Sequence, residues 1–494
     1  MAPHGALSGR ERGELLGGYR AEGPQDAAER TRVRHLLVLL PGILGSSLRR
    51  EGKVVWGLSA DMHAPIRNPE LLAAGYDALC DPEHDDGVRP DGLLSVPVPY
   101  LSRVLGPYGA LRRELHRRFE LDDLNYLEFP YDWRRPVAVN SARLARAIRA
   151  RRAALAEHVP DPRVVIVAHS MGGLVATHYL RHHDDDGDCH RIITVGTPFR
   201  GSVKALDYLV NGPNFGPRRL RGLAETLRDV PGVYDLLPMY RTVADRRSGR
   251  TGEAVRPAEL VDGLDLDAAR VRASRDFLAD LNAPHERSWL VHPLVGYGQR
   301  TLQQATLRAG GRLKCSKDAD LLPPEYTARD GDGTVPVVSA RPGAREGVVV
   351  GYGNDSHNGL VDGGRSADRI ALMLTDVLDG LDEEDPALAP GGVLPPPGHD
   401  PGVPRAGRRL SLDVDELYPA EGTVRVTGRA DGHPPDAKLW ARLSGIPNAA
   451  GPADVGADGT FRFDFGTVEP GVRTLSVADT PEGPAAINDV IEVA

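Results

Sequence analysis

The stretch Ala168-His169-Ser170-Met171-Gly172-Gly173 crowds small residues around one serine, between an apolar run and a helix-like one. A serine attacks an ester or amide carbonyl under three conditions. Its hydroxyl must be exposed, a base must take its proton, and donors must hold the developing oxyanion. The G-x-S-x-G pattern meets the first condition by placing the serine on a strained strand-to-helix turn. Here alanine stands at the first position, still small enough for the same packing. The pattern alone equally describes a tight turn in an ordinary α/β core, so the chemistry needs partners elsewhere in the chain.

Those partners occur in the order that such a fold requires, serine, then acid, then histidine. Upstream, "LLVLLPGILGSS" reads as a buried strand ending in Pro41-Gly42, followed by Ile43-Leu44-Gly45. Its Ile43 amide is the candidate second oxyanion donor beside the amide of Met171. Downstream, "ARDGDGTVPVVSA" sets Asp330 and Asp332 in a tight Gly turn, and "EGVVVGYGNDSHNGL" delivers His357 from a loop before the last helix. A calcium loop is the rival reading of the Asp-Gly turn, but the third acidic position of D-x-D-x-D-G is missing. His169 adjoins the serine, yet neighbouring residues on such a turn diverge, so it is expected to support the turn rather than act as base. "HHDDDGDCH" (His182 to His190) offers metal-type ligands but lies between a helix and a strand, where a solvated loop is expected. HExxH, Walker A and strand-linked GxGxxG motifs are absent from the sequence, so metalloprotease and nucleotide chemistry lack support. No metal and no organic cofactor is expected.

The elements that must position these residues alternate from His35 to Leu381. Short Val/Ile-rich runs ("NYLEFPYDW", "RVVIVAHS", "RIITVGTP", "SWLVHPLVGYG", "EGVVVGYGN") lack polar alternation and suit a parallel sheet buried on both faces. The segment "SARLARAIRARRAALAEHV" reads as an amphipathic helix capped by Asn140 or Ser141. The fold expected is α/β and doubly wound over residues 34–381. Residues 199–289 interrupt the alternation with helix-like patches and read as an inserted cap or lid. Residues 1–33 read as a mobile arm, and the Pro/Gly-dense stretch 382–408 as a linker. Beyond it six short runs of period two, separated by Gly, Pro and Asp turns, predict a small all-β sandwich over 409–494.

Composition narrows the classes. The chain has 494 residues, 41% hydrophobic and 26% charged, with a formal net charge of -9. That is the balance of a globular protein, and it offers no electrostatic case for binding nucleic acid. No apolar run approaches the ~20 residues of a membrane helix. Three widely spaced cysteines imply no disulfide framework. With no apolar core of a secretory signal at the start, the expectation is a reduced, cytoplasmic protein.

In this order the motifs "LVLLPGILGS", "FPYDWR", "AHSMGG", "VGTPFRGS", "GVYDLLP", "VGYGQRT", "DGDGTVP" and "SHNGL" resemble the lecithin:cholesterol acyltransferase-like α/β-hydrolases. That group includes phospholipid:diacylglycerol acyltransferases and a lysosomal phospholipase A2. The resemblance spans about residues 35 to 381, and it implies an α/β-hydrolase fold with a helical lid. It assigns the nucleophile to Ser170, the acid to Asp332 rather than Asp330, the base to His357 and the oxyanion donors to Ile43 and Met171. It makes the segment 54–62 and the 199–289 insertion membrane-facing, with Trp56 and Leu44 as substrate-binding residues. The implied reaction is cleavage of a phospholipid or acylglycerol ester through an acyl-serine, with water or an alcohol as acceptor, and peripheral membrane contact through the lid. The departures are the missing signal peptide and disulfides and the added β-sandwich, whose expected role is a spacer or a docking surface for a protein partner. The alternatives are a soluble carboxylesterase or thioesterase with the same triad, and a non-catalytic scaffold.

Overall fold

The computed structural model describes residues 30–57, 72, 74–94, 108–215, 218–219, 221–247, 253–321, 330–342, 348, 350–382, 409–414, 418, 422–444, 450–469, 471–481 and 486–493. The expected arm, apart from its last four residues, and nearly all of the expected linker lie outside these. So do residues 58–62 of the segment that begins at Val54.

The architecture is mixed α/β, with several sheets and helices. Its centre is a six-stranded sheet of β1 (Leu36–Leu40), β2 (Tyr126–Glu128), β3 (Val164–His169), β4 (Cys189–Val195), β5 (Val291–Gly296) and β6 (Gly351–Gly353). The strands lie in the order β2-β1-β3-β4-β5-β6, and every neighbouring pair is parallel. Strand order reverses between β1 and β3. At such a switch point the loops leaving the carboxyl ends diverge and open a crevice.

Both faces of the sheet are covered, which explains why its strands are apolar without alternation. In β1, Leu36, Val38 and Leu40 point into one core and Leu37 and Leu39 into the other. The first core takes the buried sides of α2 (Val137–Ala156) and α3 (Met171–His182). The second takes those of α1 (Gly109–Arg118) and α6 (Gly364–Asp382).

Two local expectations need correction. Helix α2 starts at Val137, so Asn140 and Ser141 are its fourth and fifth residues, inside the helix rather than at its cap. Pro136, with its fixed φ and no N–H to satisfy, suits the position before the helix. The capping acceptor comes from far along the chain, for the Asp235 carboxylate takes the Val137 amide at 2.7 Å. Asn140 instead donates back to the Asp132 carbonyl at 2.9 Å. The strand expected over "NYLEFPYDW" stops at Glu128, just ahead of Pro130, which has no N–H to continue the ladder, and Asp132 then turns the chain by accepting the Arg134 amide at 3.1 Å.

Among the described residues of 199–289, no strand joins the central sheet. The segment contributes α4 (Val203–Asn211) and α5 (Ala268–Asn282). Its strand Val243–Asp245 belongs to a separate four-stranded sheet with Ala254–Val255, Gln304–Arg308 and Arg312–Ser316. Toward the C-terminus, β7 (Arg409–Asp413), β8 (Thr423–Asp431) and β11 (Thr460–Thr467) form a three-stranded antiparallel sheet. Strands β9 (Lys438–Leu443), β10 (Ala450–Asp454), β12 (Gly471–Ala478) and β13 (Ile487–Val493) form a four-stranded one, and the two share one apolar core. The sequence reading missed β10. It is an edge strand holding Gly451 and Pro452, residues tolerated only where one side of the ladder is open.

Candidate active site

The turn after β3 carries Ser170 at φ 52° and ψ −125°, a conformation that costs a non-glycine residue strain and persists only where the surroundings enforce it. The Ser170 amide is held by the Val195 carbonyl at 2.8 Å. Strand β1 and helix α3 clamp the turn from both sides. A Cβ atom on Gly172 would meet the Pro41 carbonyl oxygen at 2.4 Å, and one on Gly42 would meet Ser170 Cβ at 2.8 Å. The small residues around the serine are therefore a packing requirement. Ala168 is fully buried in β3 and paired with Leu40.

Three residues expected to act together lie in one hydrogen-bonded line. His357 Nε2 is 3.0 Å from Ser170 Oγ, and His357 Nδ1 is 2.7 Å from Asp332 Oδ2. Asp332 is 1% exposed, and its second oxygen accepts the amides of Thr334 (2.9 Å) and Val335 (2.7 Å). Its backbone carbonyl also takes the His357 amide at 2.7 Å. Gly296 at the end of β5 makes room for this acid, since a Cβ there would fall 2.4 Å from Asp332 Cβ. Asp330, two residues earlier, does not enter the line; its carbonyl accepts the Val337 amide at 2.9 Å.

The segments expected to hold an oxyanion flank the serine. Met171 opens α3, where a first-turn amide has no partner within the helix. Ile43 follows β1 across the switch point and lines the same cleft as Ser170. That cleft is apolar over most of its wall, with Ile43, Leu44, Trp56, Leu72, Val233 and Leu236 among its lining. Both expected substrate contacts are present in it. Trp56 donates its indole N–H to the Leu44 carbonyl at 2.9 Å and packs edge-on against Trp133 at 5.3 Å.

His169 does not reach Ser170 Oγ. Its Nε2 is 3.1 Å from the His357 carbonyl, and its Nδ1 is 2.9 Å from the Tyr108 hydroxyl, which in turn accepts the Gly42 amide at 2.7 Å. Full burial pushes the basicity of this ring well below its ordinary value. A neutral ring protonated on Nε2 satisfies every contact: it donates to the carbonyl and accepts from the tyrosine. Tyr108 escaped the sequence reading because no local pattern marks it; it caps the start of α1 and comes in from the opposite core. Gln299 and Lys204, which also border the site, were missed for the same reason.

Three residues of "HHDDDGDCH" are held by side-chain partners: Asp184 pairs with Arg287 at 2.6 Å, Asp188 pairs with Arg152 at 2.9 Å, and His182 Nε2 is hydrogen-bonded to Asp280 at 2.8 Å. Among the described residues, no group of three or more His, Cys, Asp or Glu could hold a metal ion. Nor is any described helix long and apolar enough to cross a membrane.

Residues 117–250 match the family described as lecithin:cholesterol acyltransferase. No curated protein matches the chain. Among solved structures, the Tle4-Tli4 complex is similar at 14% identity, covering 71% of this chain and 99% of that one with a TM-score of 0.49. The mature form of Bacillus licheniformis lipase BlEst2 is similar at 13% identity, covering 71% of this chain and 95% of that one with a TM-score of 0.32. Its propeptide form, also at 13% identity, covers 94% of this chain and 75% of that one, with a TM-score of 0.33. The likeness to the lecithin:cholesterol acyltransferase family is carried by residues 117–250, the part of the chain that holds β2, α2, β3, the serine turn, α3 and β4.

Proposed function

We propose that the chain is a serine-dependent ester hydrolase that cleaves esters with an apolar acyl group. The observation that carries this reading is the hydrogen-bonded line from Ser170 through His357 to Asp332, opening onto an apolar cleft. In this reading His357 Nε2 takes the proton of Ser170 as Oγ attacks the ester carbonyl. Asp332 orients the imidazole and stabilises its charged form. The oxyanion is held by the Ile43 and Met171 amides, and collapse expels the alcohol, which receives the proton from His357. Water, deprotonated by the same imidazole, then releases the acid from acyl-Ser170. The acyl chain lies along Ile43, Leu44 and Trp56. The same reading divides the chain into a catalytic domain over 34–381, with a cap over 199–289, and a C-terminal β-sandwich over 409–494.

A finer reading is a lipid ester as substrate and an alcohol in place of water as acceptor. The match of residues 117–250 to an acyltransferase family favours it. Hydrolysis of a p-nitrophenyl ester series from short to long chains, with and without an added long-chain alcohol, separates the two. Long-chain preference supports the lipid reading, and acyl ester formed on the alcohol supports transfer. Ser170→Ala is expected to lower kcat by about 10³-fold or more and to abolish labelling by a fluorophosphonate. Undiminished turnover in Ser170→Ala would overturn the proposal. Asp332→Asn is expected to be crippling and Asp330→Asn mild.

A further inference from the structure

The C-terminal strands approach the acid and the histidine through one buried side chain. Gln299, 3% exposed, follows β5, and its backbone pairs both ways with Gly331: its amide donates to the Gly331 carbonyl at 2.9 Å and its carbonyl accepts the Gly331 amide at 3.0 Å. Gly331 immediately precedes Asp332. The Gln299 side chain then makes three further bonds. Nε2 donates to the Asn354 carbonyl (3.0 Å), three residues before His357, and to the Leu410 carbonyl (3.3 Å) in β7. Oε1 accepts the Leu412 amide at 3.1 Å, also in β7. One residue thus ties together the acid turn, through its backbone, and the histidine loop and first C-terminal strand, through its side chain.

Other contacts hold the same junction. Asp413 of β7 pairs with Lys317 at 2.6 Å and lies 3.8 Å from Arg300, the neighbour of Gln299. The short helix Gly359–Asp362, directly after His357, lies against β13. Leu412, Asp413 and Asp489 form one wall of a polar cleft whose other wall includes Asp332 and His357. A spacer would have no reason to bury a glutamine amide against the turn that carries the acid. A buried primary amide stripped of its partners is unfavourable, so this arrangement of Gln299 goes with β7 seated on it.

We propose that the C-terminal β-strands are a positioning element of the active site: β7, docked on Gln299, holds the Asp332 turn and the His357 loop at the spacing the His357–Asp332 hydrogen bond needs. This rests on the reading of Ser170, His357 and Asp332 as the catalytic group. Gln299 and Asp413 are positioning residues, since neither touches Ser170.

The test uses the full chain with Gln299→Leu, Asp413→Ala and Asp413→Glu. Activity is expressed per site titrated with a fluorophosphonate, so that a loss of folded protein does not count as a loss of turnover. Gln299→Leu is expected to lower kcat per site by about 10- to 100-fold with KM within about twofold, the signature of misplaced catalytic groups rather than lost binding. Asp413→Ala is expected to lower it several-fold, and Asp413→Glu, which keeps the Lys317 pair, to recover most of that loss. A second readout needs no turnover. One-dimensional proton NMR of the wild type is expected to show the strongly downfield proton of the His357–Asp332 hydrogen bond, and this resonance is expected to weaken or vanish in both disruptive variants. If Ser170→Ala leaves activity intact, the catalytic reading fails and this resonance alone still decides the positioning. If Gln299→Leu does not fold, Asp413→Ala decides. Unchanged kcat per site together with an unchanged resonance overturns the proposal.

Discussion

The His169 imidazole stands 3.1 Å from the backbone carbonyl of His357, and it is held there by Tyr108, whose hydroxyl also receives the Gly42 amide. The loop after β1 and the loop that carries His357 are thereby joined through two buried side chains. A residue adjacent to the serine in sequence acts as a strut across the crevice and not as its base.

Tyr108→Phe removes the acceptor of the Gly42 amide and the donor to His169 while keeping the ring. Two buried polar groups lose partners, at a cost of about 1–3 kcal/mol each in stability. In the proposed mechanism the loop bearing Ile43 loosens as well, and kcat on a short-chain ester is expected to fall by about 10-fold or more. Turnover equal to wild type would show that the strut does not set the position of that loop.

Gly172→Ala places a methyl group where only 2.4 Å separates it from the Pro41 carbonyl, and backbone cannot rotate out of the way. Overpacking of this kind costs about 1–3 kcal/mol or more. The expected outcome is a clear drop in thermal midpoint together with loss of fluorophosphonate labelling. Ala168→Gly, which restores the common first glycine of the serine pattern, is expected to cost about 0.5–1 kcal/mol from strand flexibility and to bring no gain in activity.

Arg134 is fully buried and grips Asp132 with two nitrogens, at 2.9 and 2.8 Å, while reaching Asp86 at 2.8 Å. Arg134→Met leaves buried carboxylates without their main cation, which typically costs about 3–5 kcal/mol. Denaturant unfolding is expected to show a loss of this order. A loss under about 1 kcal/mol would mean that Arg135, 3.6 Å from Asp132, compensates.

Burial raises the Asp235 carboxyl to about 7, against the pull of its bond from the Val137 amide. Tyr76 and Cys80 lie close to it, and their own ionisations are raised in turn by burial and by this acid. In the unfolded chain an aspartate titrates near ~3.9, so between about 4 and 7 the folded protein holds a proton that the unfolded one has released. Stability contributed here is therefore present at low pH and is lost as pH rises through that window. Asp235→Asn keeps an oxygen for Val137 and cannot ionise. Its thermal midpoint relative to wild type is expected to be higher at pH 8 than at pH 4.5, by several degrees. An identical difference at the two pH values would refute this account.

The residues themselves determined a good part of this protein. Apolar runs without alternation marked the six strands of the central sheet, because strands covered on both faces need no polar side. The small residues around Ser170 announced a close approach of strand and helix, and the chain order of Ser170, an Asp-Gly turn and His357 brought forward the residues that the structure places in one hydrogen-bonded line. The tertiary structure decided what no local pattern carries. It brings Asp332 to His357 Nδ1 through a turn paired with Gln299, where the Asp-Gly turn by itself left Asp330 and Asp332 open and only the family resemblance favoured Asp332. It caps α2 with Asp235 from 98 residues away, where sequence reading looked for a local cap at Asn140 or Ser141. It recruits Tyr108 beneath the serine turn and seats β7 on Gln299 beside the acid. Periodicity and motif spacing reflect interactions between near neighbours in the chain, whereas these contacts form only when the sheet order brings distant loops to one edge.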